Sequence, residues 1–245
     1  MARTSSISKK IYKEHLKLYR FLNNEFIFLE MIINSLKKEL DNINSNPKNT
    51  FKFKVPKKGN KILSRRRKND ILNLINDQLN KELFSKNVII LISRIENHMQ
   101  KCLCHVIGSF PQKLSILAGE KITITTEKFF MAENKEELLK EYIEQKSSDM
   151  MFESPKEYIY KFENILSIKI PQDIIRSYIE IKATRDVIIH NNGIINELYI
   201  KKASQLSRGK SGDNLTIDEK YYIHVVNSLK KFAGAIMSGI EGAYG

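Results

Sequence analysis

The residues best suited to do chemistry lie in one short stretch, RDVIIHNNG, at positions 185–193. It places a permanent cation, a carboxylate and a titratable imidazole among apolar neighbours. Asp186 and His190 are four residues apart and share one face of a helix, whereas Arg185 and His190 are about 140° apart around its axis. We therefore expect Asp186 to orient His190, whose side chain titrates near neutral pH as a general acid or base requires.

The same residues also have a structural explanation. A histidine near the end of a helix can cap the last carbonyl groups, and Arg185 can form a surface ion pair with a carboxylate elsewhere. The residue types alone leave both explanations open.

With four residues between Arg185 and His190, the stretch resembles the R-x4-6-H motif of HEPN domains, in which a polar residue such as Asp186 follows the arginine. The His-Asn-Asn-Gly continuation is similar to the ribonuclease-type members, such as RiboL-PSP-like HEPN proteins. The resemblance extends over about residues 87–240.

The resemblance implies an all-α, HEPN-like helical bundle and a metal-independent endoribonuclease. Two copies would form a homodimer, with their motif helices facing each other across a basic cleft. His190 would act on the proton of an RNA 2′-OH, and Arg185 would stabilise the charge on the attacked phosphate. Asp186 belongs to the same site, and Asn191 would bind phosphate or hold the turn. Products would be a 2′,3′-cyclic phosphate and a 5′-OH, and DNA would be inert.

Such an enzyme would be a toxin or an antiviral (anti-phage) defence effector, restrained by an antitoxin or another regulatory protein. The alternative is a non-catalytic HEPN-like module that binds nucleic acid or a partner protein.

Composition supports a helical protein with a polyanionic partner. The 245 residues include 41 Lys and Arg against 28 Asp and Glu, a net charge of +13. The chain has only 10 Gly and 5 Pro, and its long periodic runs argue against an all-β fold. No apolar run is long enough to span a membrane, and the N-terminus lacks the pattern of a secretory signal. With only Cys102 and Cys104, two residues apart on a helix and unable to pair, we expect a reduced cytoplasmic protein.

The N-terminal segment has two parallel heptad rows, which predict a long amphipathic helix packed against another helix, within the chain or between chains. The rows are Tyr12, Tyr19, Phe26, Ile33, Leu40 and His15, Leu22, Leu29, Leu36, Ile43. A polar stretch with Pro56 and Gly59 then predicts a basic loop, and its run at 57–68 either binds phosphates or is simply solvated. We divide the chain into residues 1–85, for dimerisation or regulation, and a bundle over 86–245.

Capping signals delimit the later helices. We expect helices over 87–110 and 134–151, one capped by Ser154 and ending near Ser167, one opened by Pro171, and a short one before the loop at 207–214. A last helix should start from a capping box at Thr216 and fray at its C-terminal tail. The stretch KITIT at 121–125 is ambiguous between strand and loop.

One further group has metal-ligand chemistry. His98, Cys102 and His105 would share a helix face and could supply three zinc ligands. No second cluster provides the missing ligand, so the sequence predicts no metal and no cofactor. His15 and His224 are interpreted as structural.

Overall fold

The computed structural model describes residues 2–118, 130 and 134–245, so the KITIT stretch lies outside the described residues. The protein is mostly helical, with 77% helix and 8% strand. The first elements are α1 (Ala2–Ser45), β1 (Thr50–Lys57), β2 (Asn60–Arg67), α2 (Lys68–Asp77), α3 (Leu83–Ser109) and α4 (Leu114–Ala118). The later elements are α5 (Lys135–Met151), α6 (Pro155–Leu166), α7 (Gln172–His190), α8 (Glu197–Ala203) and α9 (Glu219–Tyr244).

Helix α1 packs within its own chain, against α3 and α9. Six of its buried side chains belong to the same core as the rest of the bundle: Ile7, Ile11, Leu18, Leu22, Leu29 and Ile33. The heptad row through Leu22 and Leu29 is therefore confirmed. In the other row, Tyr12 and Tyr19 are exposed, and the residues one position earlier take their place in the core.

Helix α3 is the central element, contacting α1, α5, α6, α7 and α9. A single π-helical turn, Gln78–Glu82, joins it to α2, and the junction residues keep helical backbone angles, so α2 and α3 form one continuous helix. The proposed division between residues 85 and 86 falls inside this helix and stays a prediction. A π-turn is rare and is often found near functional sites.

The prediction of a basic loop is wrong, because residues 50–67 form an antiparallel β-hairpin. Lys58 and Gly59 occupy the turn with φ of 47° and 78°, a left-handed conformation that a tight hairpin turn requires. Phe51 packs at the base of the hairpin against a small cluster that contains Ile43, Ile71 and Ile75. The hairpin therefore has a fixed base on the helices.

The capping predictions have mixed outcomes. Ser154 caps α6 in a capping box with Glu157, as expected. The last helix instead begins at Asp218, whose side chain accepts a hydrogen bond of 2.8 Å from the backbone N–H of Tyr221. The capping box at Thr216 is therefore wrong, because Asp218 fills the cap position two residues later.

The prediction that the C-terminal tail frays is also wrong. Helix α9 runs to Tyr244, whose side chain is buried. Lys113 Nζ donates to the Tyr244 hydroxyl at 2.9 Å and to the Ile165 carbonyl at 2.6 Å. This tertiary contact holds the last turn. Among the described residues, none of the helices is long and apolar enough to cross a membrane.

Candidate active site

An open cleft of about 570 Å³ lies between α3, the C-terminal half of α7, and α8. Arg185, Asp186 and His190, all on α7, line it. The structure therefore brings three of the four sequence-predicted residues to one cavity. The fourth, Asn191, is not among the lining residues.

Two hydrogen-bonded ion pairs hold Arg185. Its Nη2 donates to Glu96 Oε2 at 3.0 Å, and its Nη1 donates to Asp186 Oδ1 at 3.0 Å. Glu96, on α3, also accepts a hydrogen bond from Lys182. Each Nη of arginine carries two N–H groups, so these bonds leave donors of Arg185 free to meet an anion in the cleft.

Asp186 does not orient His190 as expected. Its Oδ1 accepts from Arg185, and its Oδ2 accepts from Lys202 Nζ on α8 at 3.0 Å. A cationic side chain lies within hydrogen-bond distance of each carboxylate oxygen, and charge-assisted hydrogen bonds of this kind are the stronger ones. Asp186 therefore positions Arg185 and Lys202.

His190 is exposed at the C-terminal end of α7. Within the described residues, no hydrogen bond or ion pair engages its ring. It lines the cleft but does not cap the helix with its side chain, since the backbone N–H of Asn191 and of Gly193 both donate to the Val187 carbonyl. The imidazole is therefore available to a ligand.

Asn191 holds the turn after the motif helix. Its side-chain amide donates to the Ile194 carbonyl, and Asn192 and Gly193 follow with φ of 52° and 78°. Of the two roles expected for Asn191, the structure shows the structural one.

A buried polar cluster holds α7 against the neighbouring elements. Glu180 is 2% exposed, and it accepts hydrogen bonds from Thr184, Tyr199, Tyr221 and Arg208 at 2.8 to 3.0 Å. Because these partners come from α7, α8, α9 and the loop before α9, one carboxylate ties together the elements that carry Arg185, Asp186 and Lys202. Burial raises the pKa of the Tyr199 and Tyr221 hydroxyls, so both stay protonated as donors.

The charges of the cleft are nearly balanced. Lys182, Arg185 and Lys202 contribute three cations, and Glu96, Asp186 and Glu153 contribute three carboxylates. The basic cleft implied by the family resemblance is therefore not present in a single chain.

Two of the three residues considered for zinc, His98 and Cys102, are buried in the core, and His105 is partly buried. His98 is 3% exposed, and its Nε2 lies 3.7 Å from Cys102 Sγ. Burial lowers the pKa of His98 to about 4 and raises the pKa of the Cys102 thiol. Cys102 and Cys104 are both free. In the described parts of the chain, no group of three or more His, Cys, Asp and Glu residues is placed to hold a metal ion.

Sequence reasoning missed Glu96, Lys182 and Lys202. Lys182 is three residues before Arg185 and faces the same side, so helical spacing would have found it. Glu96 and Lys202 come from other helices, and no local pattern in the sequence marks them.

Comparisons with protein-family models, with curated proteins and with solved structures find no match to this chain.

Proposed function

We propose that this protein is a metal-independent endoribonuclease of the HEPN type. The observation that carries the proposal is the arrangement at one open cleft: His190 is exposed and no described residue hydrogen-bonds its ring, while Arg185 is held by Glu96 and Asp186. Phosphodiester cleavage by an internal hydroxyl needs an imidazole that can exchange a proton and a cation that is held in place, and both line this cleft. Asp186 and Lys202 support the site by fixing that guanidinium and adding a second cation.

In the proposed reaction, His190 takes the proton of an RNA 2′-OH, and the oxygen forms a bond to the adjacent phosphorus. The bond from phosphorus to the 5′-oxygen breaks, and that oxygen receives a proton. The products are a 2′,3′-cyclic phosphate and a 5′-OH. Free N–H groups of Arg185 and the ammonium of Lys202 stabilise the charge on the phosphoryl oxygens. DNA lacks the nucleophile and should remain intact.

A homodimer would complete this site. One histidine cannot at the same time take the proton of the 2′-OH and give one to the 5′-oxygen, whereas two copies facing each other supply two imidazoles. The assignment as a toxin or defence effector under the control of a regulatory protein belongs to the same proposal.

The proposal is tested by incubating the purified protein with labelled RNA in EDTA, beside DNA of the same sequence. His190→Ala should lower the cleavage rate at least about 100-fold, the usual contribution of a general acid or base. It should leave the fold intact, because His190 makes no contact that holds the structure. The matched control is His224→Ala, which removes another exposed histidine, on α9 and outside the cleft.

Cleavage of RNA only, with cyclic phosphate ends, that survives in the control and is lost in His190→Ala supports the enzyme. If excess protein leaves RNA intact, or if His190→Ala cleaves as fast as the parent, the catalytic proposal is wrong. A non-catalytic module that binds nucleic acid is then the better description.

A further inference from the structure

The positive charge of this protein is concentrated in one segment. Residues 42–69 contain ten of the 41 Lys and Arg residues and none of the 28 acidic residues. The rest of the chain therefore has a net charge of only +3. This segment consists of the end of α1, the β-hairpin and the start of α2, and we refer to Thr50–Arg67 as the hairpin arm.

The strand register places most cations of the hairpin arm on one face of the hairpin. Directly opposite residues of an antiparallel pair share one face, and here Lys52 pairs with Arg65, Lys54 with Leu63, and Pro56 with Lys61. The resulting basic face comprises Lys52, Lys54, Lys61, Arg65 and Arg67, all of them exposed. Neighbouring cations on a strand are about 6.7 Å apart, which is comparable with the spacing of successive phosphates in a nucleic-acid strand.

Nothing in the described chain neutralises this face. None of its five cations forms an ion pair with a described carboxylate, and Lys52 lies directly opposite another cation, Arg65. Like charges in opposite positions destabilise a hairpin, and a two-stranded hairpin is only marginally stable in water. An unneutralised cationic row in this position fits a partner that carries a row of negative charges.

The other face of the hairpin arm is mixed, with apolar and polar side chains. It carries Phe51, Phe53, Val55 and Ile62 together with Ser64 and Arg66. Phe51 is used in packing at the base, but Phe53 is 44% exposed and is available to stack on an unpaired base. The tip is Lys57-Lys58-Gly59-Asn60, a charged turn that is unsuited to enter a lipid bilayer. The arrangement therefore favours a polynucleotide over an anionic membrane.

We propose that the hairpin arm is a docking site for single-stranded RNA, with its basic face on the phosphate backbone and Phe53 stacking on a base. The inference rests on the proposed function for the choice of RNA as the polyanion. It also supplies what the cleft lacks, because the charges of the cleft are nearly balanced. Arg67 is 29 residues before Glu96 along the continuous α2–α3 helix, so the arm's base lies about 40 Å along that helix from the cleft. The arm thus holds the RNA at a point remote from the scissile bond.

The test measures binding in the full chain carrying His190→Ala, which cannot cleave the probe. The arm variant is Lys52→Gln, Lys54→Gln, Arg65→Gln. The matched control removes three exposed cations near the start of α1, as Lys9→Gln, Lys10→Gln, Lys13→Gln. Fluorescence anisotropy with a labelled single-stranded RNA is recorded over a range of salt concentrations, and circular dichroism verifies the helix content.

The arm variant should bind RNA at least about tenfold more weakly, and its slope of log affinity against log salt should fall by about two, since each lost phosphate contact contributes about 0.7. The control should change neither value appreciably. Phe53→Leu, which keeps an apolar side chain, should weaken binding of single-stranded RNA and leave duplex RNA unaffected. Lys52→Arg, Lys54→Arg should bind as the parent does, because it keeps the positive charges that the arm variant removes.

Equal losses in the arm variant and the control would overturn the proposal, as would unchanged RNA binding in the arm variant. Binding to vesicles of anionic phospholipid that depends on the arm, with RNA binding that does not, would also overturn it in favour of a membrane. The two proposals fail separately: arm-dependent binding without any cleavage by the parent protein refutes only the enzyme. If the parent protein cleaves RNA but the arm variant binds RNA as tightly as the parent, only the docking site is refuted.

Discussion

Removing the carboxylate of Glu96 should destabilise the protein far more than removing the ammonium group of Lys182. Among the described residues, Glu96 is the only carboxylate paired with Lys182, and it is one of two that hold Arg185. The side chains of Lys182 and Arg185 are 11% and 20% exposed, so Glu96→Gln leaves a largely buried ammonium without a counter-charge. Lys182→Met removes a cation instead, and Glu96 keeps Arg185 as its partner.

The magnitudes follow from these partners. Breaking a buried ion pair by removing one member costs about 3–5 kcal/mol. Because both cations keep some contact with water and Arg185 keeps Asp186, we expect about 2–3 kcal/mol for Glu96→Gln. Lys182→Met should cost less than about 1 kcal/mol, since the methionine side chain can pack on the Tyr158 ring that Lys182 now covers at 5.1 Å.

The assay is urea unfolding followed by circular dichroism, supported by thermal melts. For a chain of this length, 2–3 kcal/mol corresponds to a decrease in Tm of about 5–10 °C. Glu82→Gln is the matched control, because Glu82 pairs with Lys86 at 3.5 Å on an exposed surface and should cost little. The reasoning is refuted if Glu96→Gln and Lys182→Met lower the free energy of unfolding equally, or if Glu96→Gln lowers it no more than the control does. Glu96 would then not be the counter-charge on which both cations depend.

Two further predictions concern the core. His98 has its pKa lowered by burial from 6.5 to about 4, so the unfolded chain binds a proton there first, and stability should fall as pH drops from about 6.5 to about 4, by up to about 3 kcal/mol. Urea unfolding at several pH values should show a shallower decline for His98→Gln, and an identical decline would contradict the assignment. In α9, Gly239→Ala should cost about 1–3 kcal/mol, because its Cβ would lie 2.8 Å from the Ile168 side chain. Gly234→Ala, on the same helix with open space around it, should instead stabilise by about 0.5–1 kcal/mol, and thermal melts that show no difference between the two variants would refute the packing argument.

Local signals in the sequence predicted the elements that depend on local contacts. The capping box at Ser154 and Glu157 formed as expected, because both partners lie within one turn of the same helix. The end of α7 at Asn191 also formed, since Asn192 and Gly193 tolerate the left-handed backbone that the turn requires.

The hairpin arm was missed because Pro56, Gly59 and the many lysines were interpreted as a loop. The period-two signal was present, since Phe51, Phe53 and Val55 alternate with Lys52 and Lys54. Charged residues at every second position are compatible with a strand whose polar face is solvated. The alternation of apolar and charged residues therefore indicates a strand, whereas the composition of the same segment indicates a loop.

Contacts between distant segments could not be predicted. The tail was expected to fray because nothing near Tyr244 in the sequence holds it, yet its hydroxyl bonds to Lys113, which is 131 residues away. Likewise, Asp186 was assigned to His190 by helical spacing, and the competing cation Lys202 comes from the next helix. One sequence without an alignment carries no information on such pairs.

The position of the hairpin arm affects how the molecule approaches a partner in solution. The arm follows the end of α1, a helix of 44 residues and therefore about 66 Å long. At physiological ionic strength the Debye length is about 8 Å, so the field of the arm does not extend along the body. A charged partner therefore experiences the field of the arm and the field of the nearly neutral body separately. If RNA docks on the arm as proposed, collisions become productive mainly when the arm arrives first, and the orientation of the encounter complex is set before the cleft is near the strand.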